Sequence, residues 1–187
     1  RKSPGAFCFP LAIPHDVRIS VRMTSRHHLA DMLYHELGHA AHFSAINPDL
    51  SFVDRYWIES GVHETFSTLF ESLLGEPLFL SEELGLSSES VDALVGFATF
   101  KRALTMTKQS ATALAAMDCW EEGLDWTQTE ARHRLYLRGD LGITAPAGYG
   151  RLDPFLQSTS VYPAGYVLAE LRVAVWVRAL RALGGEA

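Results

Sequence analysis

Two histidines four residues apart, His35 and His39, are the feature that most constrains the fold of this chain. On an α-helix, side chains at that spacing lie one turn apart on the same face. Two imidazole nitrogens in that arrangement can bind one Zn²⁺ ion. Apolar residues recur around the pair at helical spacing, at Leu29, Met32, Leu33, Leu37, Ala40 and Ala41. The segment therefore predicts a helix that carries two ligands of a metal ion.

Glu36 directly follows the first histidine, in the sequence H-E-L-G-H. It is rotated by about 100° round the helix from His35, and from there its carboxylate can reach a water molecule on the ion. In the H-E-x-x-H motif, the two histidines bind the metal ion and the glutamate acts as the general base. The alternative is a surface helix that happens to carry two histidines. The apolar flanks weigh against it, because they would bury an unliganded pair at a cost.

A third ligand is expected from a second helix, over residues 52–74. Two glutamates in that segment are candidates, since Glu59 lies 20 residues after His39 and Glu64 lies 25 residues after it. Two histidines and one glutamate leave one coordination position open, which is typical of a catalytic zinc site. The spacing alone does not choose between the two glutamates.

Strand-like sequence precedes the metal helix. Residues 16–23 alternate apolar and polar side chains with a period of two, which is typical of a half-buried strand. A second strand is expected over residues 5–9. Pro10 and Pro14 break the run between them, so the two segments predict a β-hairpin.

The rest of the chain is predicted to be mainly helical. Thr24 or Ser25 offers an N-cap for the metal helix, which is expected to end near Ile46. Residues 139–154 contain glycines and prolines and predict a loop. Further helices are expected over residues 90–122, 127–138 and 160–183. The sequence thus predicts a mainly α (α+β) fold, helical with a small N-terminal β-hairpin or sheet, in a single domain over residues 1–187.

Composition narrows the possible partners. The chain has 187 residues and a formal net charge of -6, without a cluster of Lys and Arg, which argues against nucleic acid as a partner. No apolar run reaches the length needed to span a bilayer, so no membrane partner is expected. Two cysteines, Cys8 and Cys119, do not make a secreted disulfide scaffold. We therefore expect a cytoplasmic location.

Three segments stand out together, namely Gly5-Ala6-Phe7-Cys8, His35-Glu36-Leu37-Gly38-His39-Ala40-Ala41-His42 and Glu64-x-x-Ser67-x-x-x-Glu71. They resemble the thimet oligopeptidase and oligoendopeptidase family of gluzincin metallopeptidases. The segment V-H-E-T-F-S over residues 62–67 is also similar to the carboxypeptidase Taq family. Both families take the third zinc ligand from the second helix, which implies Glu64. The resemblance further implies a zincin-like catalytic domain with one Zn²⁺ per chain and a peptide substrate.

Other polar side chains are candidates for supporting roles. Asp31, His42 and Glu71 could each orient a ligand imidazole, because zinc-bound histidines usually donate their other N–H group to an acceptor. Ordinary helix-surface charges or structural hydrogen bonds are the alternative. His63 is a substrate-facing candidate by the carboxypeptidase resemblance. The histidines expected at the surface are His15, His27, His28 and His133.

Tyr162 and Tyr166 match a glycine- and tyrosine-rich segment of the oligopeptidase family. The resemblance implies that their phenolic O–H groups bind substrate and stabilise the developing oxyanion. The chain departs from the family here, because the upstream histidine falls at Phe155 or Gln157 and the last tyrosine falls near Ala169. The alternative is that both tyrosines are core residues of an apolar helix.

The resemblance implies a zinc metallopeptidase that hydrolyses short peptides, with the strand over residues 17–23 binding the substrate backbone. A metallocarboxypeptidase is an alternative. The family encloses peptides between two helical halves, and 187 residues are too few for both. Because the chain also opens on Arg1, we expect a C-terminal fragment of a longer architecture. The alternative from a different functional class is a zinc-binding, peptidase-like remnant or an interaction domain with little or no turnover.

Overall fold

The computed structural model describes residues 5–22 and 25–183, apart from the side chains of residues 26, 27, 140 and 141. It is 72% helical, with a two-stranded antiparallel sheet near the N-terminus. This confirms the predicted mainly α fold with a small β-hairpin. Among the described helices, none is both long and apolar enough to cross a membrane.

The hairpin consists of β1 (Phe7–Ala12) and β2 (Asp16–Ser20). Pro10 was expected to break the first strand, but β1 continues through it, with Pro10 opposite Val17 and a register shift before Ala12. A two-stranded sheet tolerates the proline, because a strand at a sheet edge can leave its N–H position unpaired. Met23 and Thr24, which were assigned to the strand end and the helix cap, lie outside the described residues.

The metal helix forms as predicted. Helix α1 spans Arg26–Ala45, and the side chain of Ser25 accepts a hydrogen bond from the His28 backbone N–H at its start. The prediction of a single helix over residues 52–74 is wrong. The chain forms α2 (Phe52–Tyr56) and α3 (Ser60–Ser72) instead, and Glu59 caps α3 by accepting from the Gly61 N–H at 2.7 Å.

The hairpin turn is hydrogen-bonded to α2. The Ile13 backbone N–H donates to the Tyr56 hydroxyl at 2.9 Å, and the Arg55 guanidinium donates to the Ile13 carbonyl at 2.9 Å. Ile13 itself is buried. These contacts place the hairpin firmly against the segment that leads into α3.

Contacts divide the chain into two compact units, one of residues 1–99 with 169–187 and the other of residues 100–168. This division leaves the prediction of one domain open. The loop expected over residues 139–154 is partly helical, because helix α5 (Trp126–Leu141) extends into it and a short 3₁₀ helix spans Tyr149–Leu152. The remaining helices are α4 (Ser88–Glu122), α5 (Trp126–Leu141), α6 (Pro154–Gln157) and α7 (Pro163–Leu183).

The second unit holds a buried polar network that corrects one prediction. His133 was expected at the surface, but it is fully buried and its Nε2 lies 3.2 Å from the Thr112 hydroxyl. Asp153 Oδ2 lies 3.2 Å from both Thr112 Oγ1 and Lys108 Nζ. Burial lowers the pKa of His133, so the imidazole is neutral inside this network. His15 and His28 are exposed, as predicted.

Candidate metal centre

Helices α1 and α3 approach each other closely at Gly38. A Cβ atom added there would lie 2.3 Å from the Phe66 backbone oxygen and 2.5 Å from Ser67 Cα. Because real Cβ atoms essentially never make such contacts, only glycine permits this approach. The close packing brings the histidine face of α1 against the glutamate of α3.

Three ligand atoms meet between these helices. Glu64 Oε2 lies 3.4 Å from His35 Nε2 and 3.6 Å from His39 Nε2. Ligand atoms from all three residues lie within 4.8 Å of one another. A tetrahedral zinc site with bonds of about 2.1 Å separates its ligand atoms by roughly 3.4 Å. The side chains therefore fit one zinc ion, and zinc binding itself stays a prediction.

The two glutamates that spacing left open differ in the structure. Glu64 is 2% exposed and faces both histidines. Glu59 instead begins α3 as its cap and lies 3.3 Å from the Arg172 guanidinium. The geometry thus agrees with the ligand that the resemblance implies, and Glu59 has a structural role.

Ser67 holds the carboxylate of Glu64. Its buried hydroxyl lies 3.0 Å from Glu64 Oε2 and 2.9 Å from the Glu64 backbone oxygen, so its single proton can go to either acceptor. In the sequence, Ser67 stands out only as part of a motif. The signal for its role is the spacing of three residues on a helix, which places the hydroxyl over the preceding turn.

His35 lies between two carboxylates. Its Nε2 faces Glu64, and its Nδ1 lies 3.2 Å from Glu71 Oε2. Burial lowers the pKa of His35, but the hydrogen bonds and charges of Glu64 and Glu71 outweigh burial and raise that pKa to about 10. In the metal-free protein a proton therefore occupies the place where a cation would bind.

His39 has a different environment. It is buried, and burial lowers its pKa to about 4 although the Glu64 charge opposes the shift. The backbone of His63 also acts to raise this pKa, but across the described residues no partner meets hydrogen-bond geometry at His39 Nδ1. His39 is consequently neutral at physiological pH, which is the state that binds metal ions.

Glu36 is buried, and the charges of His35 and Glu64 both act on its carboxyl. Burial raises the pKa of its carboxyl, with the His35 charge opposing the shift and the Glu64 charge adding to it. Burial and the Glu36 charge together raise the pKa of the Cys8 thiol to about 11. This interaction puts β1 of the hairpin in the neighbourhood of Glu36. A carboxylate of raised pKa suits proton transfer near neutral pH.

The four predicted supporting residues differ in what they contact. Glu71 contacts His35, as described above. His63 Nδ1 lies 3.9 Å from Glu64 Oε1, and its ring centroid is 5.3 Å from that of His39. His42 stacks on Phe66 with a centroid separation of 4.2 Å, and its Nδ1 has no hydrogen-bond partner within the described chain. Asp31 is buried in α1, and its role at the site stays a prediction.

The two predicted tyrosines belong to the second unit. Tyr162 directly precedes α7 and stacks on Phe155 at 5.7 Å between ring centroids. Tyr166 lies in the first turns of α7, 5.5 Å from the Tyr162 ring. These contacts form an aromatic cluster, and the predicted role of both tyrosines in binding substrate is untested.

Comparisons of this chain with protein-family models, curated proteins and solved structures give no match. The chain is thus a mainly α protein with a His–His–Glu cluster whose ligand atoms lie close enough together to hold one metal ion. The gluzincin resemblance rests on the motifs quoted above, and peptidase activity is a proposal.

Proposed function

We propose that this protein is a zinc metallopeptidase that hydrolyses the peptide bonds of short peptides. The observation that carries the proposal is the contact of His35 Nε2 and His39 Nε2 with Glu64 Oε2, at 3.4 and 3.6 Å, beside a buried Glu36. When bound, a zinc ion lowers the pKa of a water ligand and polarises the scissile carbonyl. Two histidines and one carboxylate leave the open position that this chemistry needs.

Glu36 is the general base of the proposed reaction. Its carboxylate takes the proton of the attacking water and passes it to the leaving amine as the peptide bond breaks. The raised pKa supports this role, because a stronger base accepts the proton and a neutral carboxyl then donates it. Glu64 keeps its orientation through Ser67 during these transfers.

The hairpin supplies the proposed binding edge for the peptide backbone. No third strand pairs with β2 among the described residues, so a substrate in extended conformation can add to the outer edge of β2 through main-chain hydrogen bonds. The interaction between Cys8 and Glu36 supports this role, because it puts the sheet near the general base.

Two measurements test the proposal. Elemental analysis of the purified protein should find about one zinc ion per chain. Incubation of the zinc-loaded protein with a mixed peptide library, followed by mass spectrometry, should show cleavage by wild type and loss of cleavage in Glu36→Gln. Glu82→Gln is the matched control, because Glu82 is exposed on a different element. Cleavage that is equal in wild type and Glu36→Gln would refute the mechanism.

A zinc-binding domain with little turnover is the second candidate function. The observation in its favour is Phe155, one of the two positions, with Gln157, where the resemblance places a histidine. The Phe155 ring stacks on Tyr162 and offers no hydrogen-bond donor. One bound zinc ion together with an uncleaved library would favour this candidate. The pattern of products would separate endopeptidase from carboxypeptidase action.

A further inference from the structure

Helix α3 presents two carboxylates to one imidazole. Glu64 and Glu71 are seven residues apart, which places them two turns apart on the same face of the helix. His35 of α1 lies between them, with Nε2 at 3.4 Å from Glu64 Oε2 and Nδ1 at 3.2 Å from Glu71 Oε2. Both ring nitrogens of His35 therefore face a carboxylate oxygen.

We propose that Glu71 is a positioning residue that selects the tautomer of His35. A neutral imidazole carries one N–H group, and Glu71 Oε2 is placed to accept it from Nδ1. The lone pair then lies on Nε2 and points to the site shared with Glu64 and His39. This inference rests on the proposed zinc site and deepens it, because it names what orients one of the ligands.

His39 has no comparable carboxylate at its Nδ1 atom among the described residues. His39 Nδ1 is buried, and in the described parts of the chain no acceptor meets hydrogen-bond geometry there. The ring of His39 packs against the His35 ring at 4.9 Å and the His63 ring at 5.3 Å between centroids, and the backbone of His63 also acts on its pKa. Among the described residues, loss of Glu71 would thus remove the carboxylate that contacts Nδ1 of a proposed ligand imidazole.

The side chain of Glu71 is 28% exposed, whereas that of Glu64 is 3% exposed. Substitution of Glu71 is therefore expected to disturb the packing of the helices less than substitution of Glu64. The zinc dissociation constant is measured by competition with a chromogenic chelator. Glu71→Ala should weaken zinc binding by about 10- to 100-fold, as is usual when the partner of a zinc-bound histidine is removed. Glu71→Gln keeps an acceptor oxygen and should lose less, whereas the exposed control Glu82→Ala should bind as wild type does.

The outcomes separate this inference from the proposed function. If Glu64→Ala binds zinc as tightly as wild type does, the proposed zinc site is wrong. If Glu64→Ala loses zinc while Glu71→Ala stays within about twofold of wild type, only the positioning role of Glu71 is refuted.

A spectrum of the wild-type protein tests the tautomer without any substitution. The zinc-loaded protein, labelled with ¹⁵N-histidine, should show a protonated Nδ1 and a metal-bound Nε2 for His35, assigned through the bonded side-chain carbons. Glu71→Gln should shift the Nδ1–H resonance and leave that of the fully buried His133 unchanged. A His35 that binds zinc through Nδ1 would overturn the proposal.

Discussion

Replacing Gly38 by alanine should damage the metal centre from a distance. The added Cβ would lie 2.3 Å from the Phe66 backbone oxygen, whereas ordinary contacts begin at 3.4 Å. Backbone atoms cannot rotate away as a side chain can, so α1 and α3 must separate by about 1 Å at this point. Glu64 would move with α3, and its oxygen would then lie too far from the histidines to share one ion with them.

The expected loss of stability can be worked from two opposing effects. Alanine is favoured over glycine in a helix interior by about 1 kcal/mol. Overpacking costs about 1–3 kcal/mol, and rigid backbone contacts favour the upper end of that range. We therefore expect Gly38→Ala to lower the free energy of unfolding by about 2 kcal/mol. Zinc affinity should fall by about 10- to 100-fold, because the ligands lose their alignment.

Urea unfolding with and without zinc, together with chelator competition, measures both effects. Gly96→Ala is the matched control, because Gly96 is a helical glycine in the same unit and a Cβ there would meet nothing within 4 Å. The control should be stabilised by up to about 1 kcal/mol and should bind zinc normally. If Gly38→Ala is as stable as the control and keeps wild-type affinity, the close crossing of α1 and α3 does not position the site.

Three further predictions concern the same centre. Glu59→Ala should lower the free energy of unfolding by about 1 kcal/mol through loss of the α3 cap and leave zinc affinity unchanged, and a large loss of affinity would restore Glu59 as a ligand. Ser67→Ala should weaken zinc binding by about tenfold in chelator competition, since Glu64 loses an orienting hydrogen bond; an unchanged dissociation constant would contradict this. The pKa of His35 rises from 6.5 in the unfolded chain to about 10 in the folded, metal-free protein, so protonation of His35 stabilises the fold. This stabilisation is complete below pH 6.5 and is lost as the pH rises through 10. Zinc must displace that proton, so its affinity should rise by about tenfold per pH unit between roughly pH 7 and 9, and a flat dependence would refute the pairing.

Local periodicity was sufficient to predict most of the fold. Helix α1, with apolar residues at helical spacing and Ser25 at its start, and the hairpin, with its alternating strand, follow from neighbouring residues. The break between α2 and α3 does not. Glutamate is not among the favoured N-cap residues, so Glu59 gave no sign that a helix begins there. The burial of His133 also depends on partners far away in sequence, Thr112 and Asp153.

The candidate site was predictable in its residues but not in its geometry. The spacing of His35 and His39 determines which face of α1 they share. Which glutamate faces them depends on how α3 crosses α1, and that is decided by packing between residues far apart in sequence. The resemblance pointed to Glu64, and the structure gives the physical reason, since Glu59 lies in the bend that begins α3.

The crossing at Gly38 also couples the groups of the site. Helix α3 carries the proposed ligand Glu64, the hydroxyl of Ser67 and the carboxylate of Glu71, so a shift of α3 displaces all three from α1. The effects of Gly38→Ala and Glu71→Ala on zinc affinity should therefore be less than additive, because the first change already moves Glu71 away from His35. A double-mutant cycle measured by chelator competition tests this. Full additivity would mean that Glu71 follows His35 independently of the helix crossing, and the site would then not depend on one packing contact.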